Sequence, residues 1–263
     1  MKKYAIIGEH LGHTVSPLIY NTLFKRIKID ATYGIIEIPK ANFDRDVEEM
    51  TKTLDGFNVT IPYKEMILVH LKAFSDDARS MMAVNTVDLS MTGFNTDWQG
   101  FYESIKNVDL KGDSAIVIGA GGAAKAVCFA LKKMHMKIYV KDRTPAKALE
   151  LKKLFGVNLE DPLFENVAIV INATPLGMYP NVDDMPDIDL KRFTRDCVVY
   201  DLIYNPAPTK FLKYASTLGL RTIDGYKMLA NQAILNLKLW SMEEVAEYLL
   251  SVSDKFHSIL DSL

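Results

Sequence analysis

Residues 115–134 constrain the fold of this chain more than any other stretch. Ala115 to Ile118 is a short apolar run dense in β-branched residues, as expected of a strand buried on both faces. Gly119, Gly121 and Gly122 follow at once. Ala124, Val127, Cys128, Leu131 and Met134 then recur at helical spacing, with Lys125, Lys132 and Lys133 between them. Strand, glycine turn and helix in that order form the opening of a dinucleotide-binding βαβ unit. Gly119 permits the tight turn, Gly121 lets the backbone approach a pyrophosphate, and the small Ala124 takes the place where helix and strand pack closely. Free N–H groups and the positive dipole end of the helix then face the phosphates. A glycine pattern alone is weak; the strand before it and the helix after it lift this one above an ordinary tight turn.

The rest of the chain falls on either side of this unit. Before it, residues 4–7, 33–38 and 56–60 read as strands. The stripes Ile19, Leu23, Phe24, Ile27 and Phe43, Val47, Met50, Leu54 read as helices. Ser16 and Pro17 open the first of these, with Ser16 as N-cap, and Pro62 opens a third running through Met66, Ile67 and Leu71. This βαβαβα order predicts an α/β unit with a mainly parallel sheet. Residues 83–89 and 92–95 form a hairpin, and a helix over 97–108 leads into the polar connector 109–113. After the glycine turn, strands at 137–140, 167–172, 198–202 and 221–223 alternate with helices at 145–155 and 210–218. Beyond Gly225 only helical stripes remain, among them Met228, Leu229, Leu237, Trp240, Val245 and Leu249. Lacking a sheet of their own, these helices must pack on something already built, the first domain. The expected domains are therefore 1–108 with 226–263, and 109–225.

Composition narrows the function. A net charge of −2 gives no reason to expect nucleic acid or an anionic membrane as partner. No apolar run approaches the roughly 20 residues that span a bilayer, and the first residues lack the apolar core of a signal peptide. Cys128 and Cys197 have no metal-type spacing, and His10, His13, His70, His135 and His257 form no cluster. The expectation is a cytoplasmic protein without a metal.

Four polar clusters lie at the ends of strands in the first domain, where loops of an α/β sheet usually bind ligands. They are 13–17 (His-Thr-Val-Ser-Pro), 58–64 (Asn-Val-Thr-Ile-Pro-Tyr-Lys), 83–86 (Ala-Val-Asn-Thr) and 95–97 (Asn-Thr-Asp). Each has a local explanation: Ser16 and Asp97 as helix caps, Asn58 and Thr60 as strand-end dressing, Lys64 as one exposed lysine among many. Together they offer a lysine, an aspartate, asparagines and hydroxyls, which suits a small polyhydroxylated or carboxylate ligand. A lysine beside an aspartate is also a workable proton-transfer pair, because the aspartate holds the ammonium while a desolvated amine can accept a proton.

With these motifs the chain resembles the shikimate dehydrogenase family over essentially its whole length. The resemblance is also carried by 95–100 (Asn-Thr-Asp-Trp-Gln-Gly), 119–124 (Gly-Ala-Gly-Gly-Ala-Ala), 172–178 (Asn-Ala-Thr-Pro-Leu-Gly-Met), 201–206 (Asp-Leu-Ile-Tyr-Asn-Pro) and 225–232 (Gly-Tyr-Lys-Met-Leu-Ala-Asn-Gln). It implies an N-terminal α/β substrate domain, a Rossmann-type dinucleotide domain, and C-terminal helices returning to the first domain. It implies reversible reduction of 3-dehydroshikimate to shikimate, in the route to chorismate and aromatic amino acids, with a hydride passing between substrate and NADPH. By motif position, Lys64 is the acid/base and Asp97 its partner. Thr14 and Ser16 hold the ring carboxylate; Asn58, Thr60, Asn85, Asp97 and Gln232 meet the ring, with Tyr204 closing on the site. The implied cofactor contacts are Gly119, Ala120, Gly121, Gly122, Ala123, Ala124, Asp142, Arg143, Thr144, Lys147, Ala173, Thr174, Pro175, Ile203, Gly225 and Met228. The implied assembly is a monomer or homodimer.

Three positions depart from the family pattern. Thr14 stands where serine is usual and adds a methyl to the carboxylate pocket. Met82 stands where glycine is common. Asp142 stands where NADP-using members carry asparagine, and an acid about 20 residues beyond the glycine turn is the mark of NAD, since it accepts from the ribose 2′-hydroxyl. Arg143 and Lys147 argue the opposite way, pairing with a 2′-phosphate. Two cations against one anion favour NADP, with NAD or dual use left open. The rival readings are a quinate/shikimate dehydrogenase and a ligand sensor without turnover. A sensor has no need of both Lys64 and Asp97.

Overall fold

The computed structural model describes residues 1–12 and 14–253. His13, expected to shape a ligand loop, and His257 lie outside the described residues. The chain divides into two compact units: Met1–Thr96 with the segment from Ala230 onward, and Asp97–Leu229.

The first unit opens with β1 (Lys2–Gly8), α1 (Ser16–Ile27), β2 (Ala31–Glu37), α2 (Phe43–Thr51) and β3 (Gly56–Val59). β4 (Ala73–Phe74), α3 (Asp76–Met81), β5 (Thr86–Asp88) and β6 (Thr92–Phe94) complete its N-terminal part. The six strands order as β2-β1-β3-β5-β6-β4. β1 pairs in parallel with β2 and β3, whereas β5 runs antiparallel to both β3 and β6. The sheet is thus mixed, because the hairpin at Ser90-Met91 reverses the chain. β3 is buried at every position, as a central strand must be, while β2 at the edge leaves Ile35 exposed. Ile7, Phe43, Val47, Phe57, Val59, Ile67, Val84 and Val87 pack into one core.

Two local expectations need correction. Ser16 is the first residue of α1 and not its cap: Val15 holds the cap position with no side-chain bond, and the Ser16 N–H faces the Thr14 hydroxyl at 3.4 Å. No α-helix runs from Pro62; a turn leads instead into a 3₁₀ segment, Met66–His70. The Lys64 carbonyl, which an α-helix needs for the Leu68 N–H, accepts from Val84 N at 2.7 Å, and Leu68 N turns to Glu65 O. This bond from the loop before β5 thus outcompetes helix propagation.

The second unit begins with α4 (Asp97–Ile105). It continues as β7 (Ser114–Ile118), α5 (Gly122–Lys133), β8 (Lys137–Lys141), α6 (Pro145–Phe155), β9 (Val167–Asn172), β10 (Val198–Asp201), α7 (Lys210–Thr217) and β11 (Arg221–Ile223). Its five strands are all parallel, in the order β11-β10-β9-β7-β8. β7, β9 and β10 are buried throughout, which explains their unbroken apolar runs. From β7 the chain moves one way to β8 and then crosses back to β9, so the order reverses between β7 and β9.

α8 (Tyr226–Leu239) carries the chain back into the first unit, and α9 (Glu243–Val252) follows. The Trp240 ring stacks on Tyr4 at 4.6 Å between centroids, and its Nε1 donates to Val87 O at 3.0 Å. Gly56 makes room for that ring, since a Cβ there would sit 2.4 Å from Trp240 Nε1. Among the described residues, no helix is long and apolar enough to cross a membrane.

Candidate active site

In the first unit, strand ends and α8 bring Asn58, Asn85 and Gln232 into one hydrogen-bond network. Thr14 and Ser16 sit at the mouth of α1, their hydroxyls 3.4 Å apart. Thr60 follows β3, anchored by its N–H to Ile7 O, and accepts from Tyr63 N on its own carbonyl. Tyr63 itself is packing: its ring is fully buried against Phe43 and its hydroxyl donates to Ile38 O. That anchor fixes the turn bearing Lys64, which is half-buried. Asn58 and Asn85 are buried, and their amides are engaged. Asn58 Oδ1 accepts from the Tyr33 hydroxyl at 2.7 Å, and its Nδ2 donates to Asn85 O and Thr86 Oγ1. Asn85 Oδ1 accepts from Thr96 N at 2.7 Å, and its Nδ2 donates to Thr96 Oγ1 at 2.9 Å. Gln232, on α8, accepts from Asn236 Nδ2 at 3.0 Å. Asp97, the buried first residue of α4, belongs to the second unit, and Lys64 to the first.

In the second unit the glycine turn follows β7 at the point where strand order reverses, the usual ligand crevice of an open parallel sheet. Ile118 pairs with Asn172, and Ala173 N donates to Ile118 O at 2.8 Å, so the loops after β7 and β9 leave the sheet side by side. Gly119 is required by the protein itself: its φ is +110°, and a Cβ would lie 3.0 Å from Ala173 O. Gly121 is different. Its backbone is extended and a Cβ would meet nothing within 4 Å, so no protein atom explains the missing side chain. It stands at the N-cap of the 12-residue α5, where a dinucleotide phosphate fits the open space and the helix N–H groups. Gly225 closes the far loop; a Cβ there would lie 2.1 Å from Leu202 O.

Residues 6–87 match the family model described as the shikimate dehydrogenase substrate binding domain. The chain is 39% identical over 258 residues to the shikimate dehydrogenase (NADP(+)) of Caldicellulosiruptor saccharolyticus, covering 91% of this chain and 92% of that one. The chain belongs to the shikimate dehydrogenase family. Among solved members, the Thermus thermophilus enzyme in complex with NADP(H) and shikimate superposes with a TM-score of 0.82 at 32% identity, over 95% of this chain and 100% of that one. The Listeria monocytogenes enzyme in complex with shikimate and NAD gives 0.80 at 26% identity, over 96% of both chains.

After β8, Asp142 has a local job. Its Oδ1 accepts from Thr144 N at 2.7 Å, closing a tight turn that presents Arg143. Arg143, Thr144 and Lys147 are exposed around it, at the start of α6. The acid at this position thus shapes the loop that carries the cations.

Sequence reasoning passed over several residues of this shikimate dehydrogenase scaffold. Asp201, fully shielded, accepts from Asn172 Nδ2 (3.0 Å), Ile203 N (3.1 Å) and Thr209 Oγ1 (2.7 Å). Asn172 in turn accepts from Thr174 N and Oγ1, so this pair braces the loops bearing Ala173, Thr174, Pro175 and Ile203. Burial pushes the Asp201 carboxyl up to about 6, despite the opposing donors from Thr209, Ile203 and Asn172. An acid inside an otherwise apolar strand was the available signal. Thr86 stood in the cluster 83–86, but Asn236, Tyr20 and Tyr33 left no signal, because the meeting of all four depends on how α8 docks.

Proposed function

We propose that this protein is an NADP-dependent shikimate dehydrogenase that interconverts 3-dehydroshikimate and shikimate. The observation that carries the reading is Gly121: its side-chain space is open at a helix N-terminus, at the crevice of a parallel sheet, in a chain 39% identical to a shikimate dehydrogenase (NADP(+)). By function, residues 1–108 with the segment from 226 onward serve as the substrate and catalytic domain and 109–225 as the cofactor domain, although α4 packs as part of the second unit. Gly119 to Ala124 receive the pyrophosphate, with Ala173, Thr174, Pro175, Ile203, Gly225 and Met228 beside the remainder of the dinucleotide. Arg143 and Lys147 pair with the 2′-phosphate, and Asp142 and Thr144 hold their turn.

NADP, when bound, accepts or supplies the hydride. The chain supplies orientation and one proton. Thr14 and Ser16 hold the ring carboxylate, and Thr60, Asn85, Asp97 and Gln232 hold the hydroxyls over a floor braced by Asn58. In the oxidative direction Lys64 Nζ takes the proton from the reacting hydroxyl; in the reductive direction it returns it. Asp97 orients that amine, and Tyr204 covers the site. Two free, buried cysteines, Cys128 and Cys197, support a reducing cytoplasm as its location. Light scattering tests the expected assembly, a monomer or homodimer.

The test is initial-rate oxidation of shikimate with NADP and NAD in parallel, and quinate as second substrate. Turnover with shikimate and NADP is expected, with quinate poorer because the Thr14 methyl crowds its extra hydroxyl. A folded protein that turns over none of these pairs overturns the reading in favour of a sensor.

A further inference from the structure

Asn58, Asn85, Thr86, Thr96, Tyr20 and Gln232 form one continuous network whose hub is Asn236, a fully buried residue one helical turn beyond Gln232. Thr86 Oγ1 and Thr96 Oγ1 both lie 2.7 Å from its Oδ1. Its Nδ2 lies 2.9 Å from the Tyr20 hydroxyl and 3.0 Å from Gln232 Oε1. With the amide placed this way, the two shorter contacts match O–H···O bonds, near about 2.7–2.8 Å, and the two longer ones N–H···O bonds, near about 2.9–3.0 Å. Both threonine hydroxyls donate to Oδ1, which leaves them to accept from Asn58 Nδ2 and Asn85 Nδ2 at 3.0 and 2.9 Å. Nδ2 then spends its two hydrogens on Tyr20 and Gln232. Asn236 thus spends both ends of its amide within the network, as Asn58 and Asn85 do.

The consequence falls on Gln232. Its Oε1 is held by Asn236, so the end of its amide turned away is the NH2, which can only donate. We propose that Asn236 is a positioning residue that holds Gln232 as a hydrogen-bond donor to a substrate oxygen and ties it to Asn85 through Thr86 and Thr96. This rests on the shikimate reading above, which puts Gln232 and Asn85 against the ring hydroxyls. The residue touches no substrate; it acts through the amide it orients.

Asn236→Asp keeps the oxygen that accepts from the threonines but replaces the donor facing Gln232 by an acceptor. Gln232 must then turn its NH2 inward. The expected result is a shikimate Kd, measured by calorimetry on the cofactor-free protein, and a shikimate KM, both raised about tenfold by loss of one well-placed bond. kcat and the KM for NADP stay within about twofold. In a Gln232→Ala background the same substitution should change neither Kd nor KM further. Gln232→Glu, at a half-buried position that tolerates the change, keeps the bond from Asn236 and removes the outward donor. It should weaken shikimate to the same degree. A stable Asn236→Asp or Gln232→Glu protein with wild-type Kd overturns the proposal, as does an Asn236→Asp effect undiminished in the Gln232→Ala background. Wild-type protein that neither binds nor oxidises shikimate overturns the underlying reading instead.

Discussion

Asp201 makes the stability of the second unit depend on pH in an unusual direction. Its carboxyl is raised from 3.8 to about 6, first by burial and then by Asp224, against the lowering effect of its three donors. In the unfolded chain it titrates near its ordinary value. Between those limits the folded state holds a proton that the unfolded state releases, so stability contributed by this group is present at low pH and lost as pH rises through about 6. Integrating the linkage between pH 4 and pH 7 gives a loss of roughly 2–2.5 kcal/mol. Asp201→Asn removes the titration while keeping an oxygen for Asn172 Nδ2 and Ile203 N. Its altered contact with Thr209 adds an offset that does not vary with pH. The stability of Asp201→Asn minus that of the wild type should therefore climb by about 2 kcal/mol from pH 4 to pH 7. Urea titrations at fixed pH, read by pulsed hydrogen exchange in β9 and β10, isolate the unit that holds the residue. Parallel wild-type and Asp201→Asn profiles, within about 0.5 kcal/mol across that range, would refute the assignment of a raised carboxyl.

The remaining predictions concern the site. Gly121→Ala should lower the melting temperature only slightly, because a Cβ there meets no protein atom within 4 Å, yet raise the KM for NADP at least about tenfold by crowding the phosphate. Gly225→Ala should instead cost about 3 kcal/mol in chemical unfolding, since its Cβ meets the Leu202 carbonyl at 2.1 Å. Lys64→Met should lower kcat about 10²–10⁴-fold with shikimate binding largely kept, as judged by steady-state kinetics and calorimetry. Arg143→Ala should raise the KM for NADP about tenfold or more and leave that for NAD alone, whereas Asp142→Asn, which preserves the bond from Thr144 N, should barely change NADP use.

Much of this architecture was legible in the amino-acid sequence because it follows from local patterns. β7, β9 and β10 announce themselves as unbroken apolar runs, since strands covered on both faces need no polar side. Gly119 and Gly121 mark a turn whose geometry depends on a few neighbouring residues. The motifs bearing Lys64, Asn85 and Asp97 were visible for the same reason: each is a short segment at the end of one strand. Pro62 misled because helix propensity is local, while the Lys64 carbonyl is taken by Val84 from across the chain.

Only the tertiary structure decided what joins these segments. That Gly119 is needed by the protein while Gly121 answers to no protein atom depends on the loop after β9. That Asp142 braces a turn rather than standing free depends on one backbone N–H. The clearest case is Asn236, which meets Tyr20 from 216 residues away and Thr86 from 150. No periodicity records such a meeting, because hydrogen bonds between side chains act over about 3 Å and form only after packing has brought their carriers together. The sequence therefore specified the parts and their chemistry, and docking of α8 determined which buried amide orients which.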